Sequence, residues 1–320
     1  MAAGALVAGL GAVPAPAQAA AVDVVGTVRG LHARGASVKI EQVFIADAPD
    51  DTREGTGPSS GRNPERAAAG YHVKVSGIAR LSRTGIAASE VHRLMTFGDP
   101  RRRQFLRDDA ANGDRRSGDV LAQIGRRHRI RSVGGALYGF GPAYGGGSWR
   151  RLGRASGADA LFGDQIVNIF EPGTLRTLVA TATVKERAGK VFDADNRSVW
   201  SYAYQGTITF ARLFKVSPSF REMLGGRLAP RYRNIKVLWR ISTDLKGRPV
   251  VVQTQWRPGP GYPLEAVHGA TRYSWDVRAK ITAPRATRAT RVPFADDLTD
   301  HFACRTRAAD CGTPPPGKPW

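Results

Sequence analysis

The chain has 320 residues, 42% of them hydrophobic, and a formal net charge of +21. It is too apolar to be wholly disordered. Its two cysteines exclude a disulfide scaffold, and beyond the N-terminus no apolar run is long enough for a transmembrane helix. The charge comes from 39 arginines and only nine lysines. Arginine pairs bidentately with phosphate and carboxylate, which points to polyanionic partners: nucleic acid, anionic lipid head groups or anionic wall polymers. A GC-rich coding sequence would give the same bias.

Residues 1–20 read as a signal peptide or apolar leader. An apolar stretch, GALVAGLGAV, covers 4–13, and Ala17-Gln18-Ala19 is an A-x-A cleavage pattern. The basic segment that normally precedes such a stretch is missing, and no lipid-attachment cysteine follows it. Residues 23–33 suit a short helix, weakened by Gly26 and Gly30. Residues 37–45 alternate as a strand, with Val38, Ile40, Gln42 and Phe44 on one face. A polar Gly/Pro/Ser-rich loop follows over 47–70. Residues 71–81 form the next strand, with Val73 and Val75 turned inward, and 90–97 its partner.

Residues 101–131 carry ten Arg and four Asp with little apolar periodicity. They read as a charged insertion, mobile or on a rim. Arg101, Arg102, Arg103, Arg126, Arg127 and Arg129 are the candidate polyanion contacts there, each worth about 1 kcal/mol near an anionic surface. Aromatic residues are sparse in this stretch, so a base-stacking surface for nucleic acid is not expected. Residues 132–149 run from a strand, with Leu137 and Phe140, into a Gly-rich turn ending at Trp149.

Glu171-Pro172 is a helix entry, after which Leu175, Leu178, Val179 and Ala182 recur at helical spacing. Phe210, Leu213 and Phe214 make another short stripe. Ser217-Pro218 opens a further turn that stops at Gly225-Gly226. In the C-terminal half, Trp200, Tyr202 and Tyr204 share one face. So do Ile235, Val237, Trp239 and Ile241; then Val250, Val252 and Trp256; then Tyr273, Trp275, Val277 and Ile281. Residues 235–257 form a hairpin around Asp244-Leu245-Lys246-Gly247. Gln253 and Gln255 fall on its opposite face.

Strands with one apolar face need a cover. The expected fold class is α+β: a single curved antiparallel sheet wrapped over a few helices. One domain spans 21–284, with a basic tail over 285–320. Cys304 and Cys311 lie in that tail. Outside the cytoplasm they should pair, closing a short loop worth about 2 kcal/mol. With His301 they are too few for a metal site.

The order of the motifs YHVKVSGIARL, SWRRL, EPGTL, YAYQGTITFARL, SPSFREMLGG and VLWRISTDLKGRPVVVQTQWR is similar to that of the actinobacterial exported lipoproteins with a LolA-like fold, the LppX/LprG type. Tyr204, Gly206, Thr207, Asp244, Gly247 and Pro249 stand at matching places. The resemblance covers about 36–284. It implies a half-barrel closed by helices and an apolar cavity that holds acyl chains outside the cytoplasm. The missing lipid-attachment cysteine, the arginine stretch and the cysteine tail depart from the pattern.

No zinc-type histidine spacing, nucleophile elbow or Walker A loop occurs, so no enzyme and no cofactor is expected. The expected function is an exported carrier, acting as a monomer, for a lipid or acylated ligand. Its cavity would be lined by Val73, Val75, Leu137, Phe140, Leu175, Leu178, Tyr202, Tyr204, Val237, Trp239, Val252 and Trp275. The alternative is a basic module that contacts an anionic membrane surface, wall polymer or nucleic acid through the arginine stretch.

Overall fold

The computed structural model describes residues 22–47, 71–97, 100–113, 115–162, 165–257 and 266–289. The leader over 1–20 and the Cys304–Cys311 pair lie outside the described residues. Six α-helices, two short 3-10 turns and twelve strands are described. In chain order, α1 is Val24–Ala33, β1 Ser37–Asp47, β2 Tyr71–Ser82 and β3 Gly85–Phe97. Then follow α2 (Pro100–Ala111), α3 (Arg115–Gln123), β4 (Arg127–Val133), β5 (Ala136–Phe140) and β6 (Trp149–Arg154). After these come α4 (Pro172–Ala180), β7 (Val184–Phe192), β8 (Ser198–Thr209), α5 (Phe210–Val216) and α6 (Pro218–Met223). The last are β9 (Lys236–Asp244), β10 (Pro249–Trp256), β11 (Ala266–Val277) and β12 (Ala286–Arg288).

All twelve strands join one open, curved sheet in the order β12-β6-β5-β4-β3-β2-β1-β11-β10-β9-β8-β7. Every neighbouring pair is antiparallel except β12 with β6. The expected α+β fold with a single sheet is therefore the observed one. Hairpins build its two halves, and the β1–β11 pairing joins them across the chain.

The hairpin turns after β7 and β9 share one construction. Asp193 Oδ1 accepts the amides of Asp195 and Arg197 (2.8 and 2.9 Å), while Arg197 Nε donates to Oδ2 (2.8 Å). Asp244 does the same with Lys246, Arg248 and the Arg248 side chain (3.0, 2.8 and 2.6 Å). The fourth residue of each turn is left-handed: Asn196 at φ 61° and Gly247 at φ 80°. Asn and Gly adopt that conformation at low cost.

One face of the sheet is covered. The helix starts are fixed by side chains: Asp23 caps α1, Thr209 caps α5 and Ser217 caps α6. Glu171 ties two helices together. Its carboxylate accepts Thr174 Oγ1 (2.8 Å) in α4, and Ser217 Oγ (2.6 Å) and the Ser219 amide (2.7 Å) at the start of α6.

An irregular buried segment, 165–170, fills the space between helices and sheet. Buried backbone must be satisfied. Gln165 and Asn168 accept the amides of Val167 and Phe170 (3.2 and 3.0 Å), and Gln165 Nε2 donates to Thr271 (2.9 Å). Ile166, Val167, Ile169 and Phe170 enter one continuous core with Phe44, Phe210, Trp239, Trp256 and Tyr273.

Two glycines allow close approach within the sheet. Gly206 lies opposite Trp239, and a Cβ there would come within 2.8 Å of the indole. At Gly77, opposite Val91, a Cβ would run into the backbone of Glu90 and Val91.

Three expectations are corrected. The arginine stretch is no loose insertion: it folds as α2, α3 and β4, anchored by the buried Leu106, Val120 and Ile124. Ala286–Arg288, read as tail, pairs with β6 as β12. Trp200, read as facing inward like Tyr202, is 50% exposed, because it lies at the outer end of β8 beyond the buried run that starts at Ser201.

Candidate groove on the open sheet face

The predicted lining residues divide. Val73, Val75, Leu175, Leu178, Tyr202, Tyr204, Val237, Trp239, Val252 and Trp275 are buried in the continuous core, and Leu137 packs against it. Their neighbours there are protein. Phe170 stacks edge-on against Tyr273 and Trp275 at 5.4 and 6.1 Å between ring centroids. Tyr202 lies against Tyr204 at 5.2 Å. Burial, with Tyr202 and Asp23 alongside, pushes the Tyr204 hydroxyl up to about 12. Phe140 is corrected to the other face: it sits opposite Arg129 in register and against Trp149 at 5.6 Å.

The described cavity lies on the uncovered face, with a volume of about 400 Å³. The strand register builds it. Side chains alternate across a sheet, so the partners of the outward Val43 form one row: Ala270, Gln253, Arg240 and Gln205. The partners of Ile45 form the next row: His268, Gln255 and Leu238. These rows cross β1, β11, β10, β9 and β8, and their side chains line the groove. Of the predicted lining residues, Trp239 alone also reaches it.

The groove is apolar at its β1 end, where Val43, Ile45 and Ala270 lie, and mixed at its β8–β9 end, where Leu238 stands beside Arg240 and Gln205. Val43 is 41% and Leu238 49% exposed, two large aliphatic side chains turned to solvent within the same two rows. Gln253 and Gln255 lie between them. Arg240 Nη1 donates to Gln205 Oε1 at 3.5 Å, and no carboxylate pairs with it among the described residues. Neither row contains Asp or Glu. This arrangement suits a molecule with an apolar chain and an anionic or hydrogen-bonding head. Its signal was present in the sequence: Val43, Ile45 and Leu238 are apolar residues on faces otherwise read as polar.

The predicted polyanion contacts are spread. Arg101 and Arg102 have side chains outside the described set. Arg103, Arg126 and Arg127 are exposed. The Arg103 guanidinium reaches toward Gly125, 4.0 Å from where a Cβ there would stand. Arg129 is engaged. Arg129 and Arg131 each place Nη2 2.6 Å from one oxygen of Glu90, and both guanidiniums stack on Trp149, at 5.1 and 4.7 Å from its centroid. On the other face of β4, His128 is buried beneath Tyr144, and burial holds it below the usual histidine range. Among the described residues no group of three acidic, histidine or cysteine side chains could hold a metal ion. No described helix is long and apolar enough to cross a membrane.

No protein-family model and no curated protein sequence matches the chain. Two solved structures show a distant likeness. A domain from Vibrio parahaemolyticus, assigned to outer membrane lipoprotein sorting, shares 9% identity over 81% of this chain and 94% of its own, at a TM-score of 0.26. A porin-like protein from Bacteroides uniformis shares 6% over 76% and 96%, at a TM-score of 0.24. At these identities and TM-scores neither likeness carries an argument.

Proposed function

We propose that the chain is a non-enzymatic, extracytoplasmic binding protein for an amphipathic, lipid-like ligand. The ligand lies in the groove across β8, β9, β10, β11 and β1 rather than between sheet and helices. One observation carries this reading: a cavity of about 400 Å³ exposes Val43 and Leu238 beside an arginine with no described carboxylate partner. That volume falls within the range of ligand pockets. An acyl chain gains about 0.8 kcal/mol for each methylene removed from water, so shape and apolarity suffice for retention. Arg240 adds a directed contact for a carboxylate or phosphate head. The resemblance of the sequence motifs to the LppX/LprG type would imply a lipid-like ligand held in the interior instead.

The test is titration of delipidated protein with a fluorescent fatty acid. Saturable uptake is expected. Changing both Val43→Glu and Leu238→Glu should weaken it by more than about tenfold, since each replaces apolar wall with charge. Arg240→Gln should erase the preference for the acid over its methyl ester. Uptake unchanged by the groove variants but lost on Tyr204→Ala would move the ligand into the covered interior. A wild-type chain that takes up nothing would end the proposal.

A second reading rests on the exposure of Arg103, Arg126 and Arg127, with the Arg103 guanidinium reaching Gly125, the residue before Arg126. A polyanion site there predicts heparin binding that falls with salt and with Arg103→Ala, Arg126→Ala and Arg127→Ala combined.

A further inference from the structure

We infer that the β7–β8 hairpin end, together with the β9–β10 turn, is a docking tip for an anionic bilayer surface. Of the five exposed large hydrophobic side chains among the described residues, three gather here: Phe192 (54%), Trp200 (50%) and Leu245 (51%). The register brings them together. Phe192 pairs with Ser198 and Lys190 with Trp200, so Phe192, Lys190 and Trp200 share one face of the hairpin. Leu245 follows Asp244, whose partner is Ser201, next to Trp200.

The charge around the tip is complementary to anionic lipid. Arg187 and Lys190 lie over the Trp200 ring, at 5.7 and 5.4 Å from its centroid, and Lys246 is exposed in the neighbouring turn. The acidic residues nearby are engaged by cations, with Asp244 and Asp276 sharing one arginine. Asp193 binds Arg197 (2.8 Å), Asp195 binds Lys39 (2.8 Å), and Arg248 binds both Asp244 (2.6 Å) and Asp276 (2.7 Å). Glu186, paired with Ala203, faces the other side of the sheet. Basic side chains over an exposed tryptophan, with apolar neighbours, match the head-group zone of a membrane. There the indole is buried with its N–H still wet and the cations meet lipid phosphate. Burial in a protein core would strand those cations. The tip is five residues along β8 from Gln205 of the groove, about 17 Å, so docking leaves the groove open.

The experiment is vesicle co-sedimentation of the full chain without ligand, on phosphatidylcholine alone and on an equal mixture with phosphatidylglycerol. Binding is expected only to the mixture and should weaken as salt rises. Trp200→Ala should lower partitioning by about tenfold, and Arg187→Glu with Lys190→Glu by at least as much. Because these side chains are exposed, the variants should keep the wild-type thermal unfolding midpoint. If the wild-type chain fails to bind the mixture, or if it binds and the tip variants bind equally well, the inference is overturned. It is also overturned if Trp200→Ala instead dissolves a dimer seen by sedimentation equilibrium. The readout does not involve the groove, so its failure leaves the proposed ligand site standing.

Discussion

Two arginine-bearing stretches of the same open sheet face behave differently. On β4, Arg129 and Arg131 are clamped by Glu90 across the strand pair and stacked on Trp149. On β9, Arg240 meets only the amide of Gln205 among the described residues, and its other register neighbour is Gln253. Residue type is the same, and so is the face. What differs is whether the register sets a carboxylate opposite. Where it does, the cations are structural; where it sets amides and aliphatic side chains, a cavity opens and the cation is available. A basic chain can thus spend part of its arginine on its own fold.

The largest effect expected on this comparison comes from closing the approach that seats Glu90. Gly77→Ala places a Cβ against the Glu90 and Val91 backbone, which cannot retreat within a sheet. A loss of about 2–3 kcal/mol is expected, read as a fall in the urea midpoint. Next, Glu90→Gln leaves two guanidiniums without their counter-charge. Arg131 has only 14% of its side chain exposed, so a cost of about 1–2 kcal/mol is expected. Arg240→Gln, by contrast, should change stability by less than about 0.5 kcal/mol. Equal costs at the two sites would break the comparison.

The smallest effect concerns pH beneath the clamp. His128 sits between Arg127 and Arg129 on β4 but faces the covered side. Burial is the main cause that keeps it neutral, and Arg93 and Arg126 add to this. Its folded pKa is depressed, so below about 6.5 the unfolded chain binds the proton that the folded chain refuses, and stability falls with pH. The melting temperature should drop between pH 7 and 5, and His128→Asn should remove part of that slope.

Much of the fold was legible locally. Val38, Ile40 and Phe44 alternate because strand side chains do, and all three are buried. Pro172 and Ser217-Pro218 mark helix starts that the structure contains. The misses have physical causes. β7 (VKERAGKVF) is an edge strand exposed on both faces, so it carries no alternation to read. Helices α2 and α3 are held by a few buried residues within an otherwise charged surface, which composition alone reads as loop. The groove was hidden in a different way. Gln253 and Gln255 were seen on the face opposite the core, but that Val43 and Leu238 stand in the same two rows depends on the register of five strands.

The sequence by itself determined most of the strands, which side of each of these is apolar and where α4 and α6 begin, since those signals come from residues two to four positions apart. Only the tertiary structure decided that β1 joins β11, that the 165–170 segment fills the interior, and that the open face carries the cavity. Those outcomes depend on pairings between residues as distant as Val43 and Ala270, about which neighbouring positions in the chain hold no information.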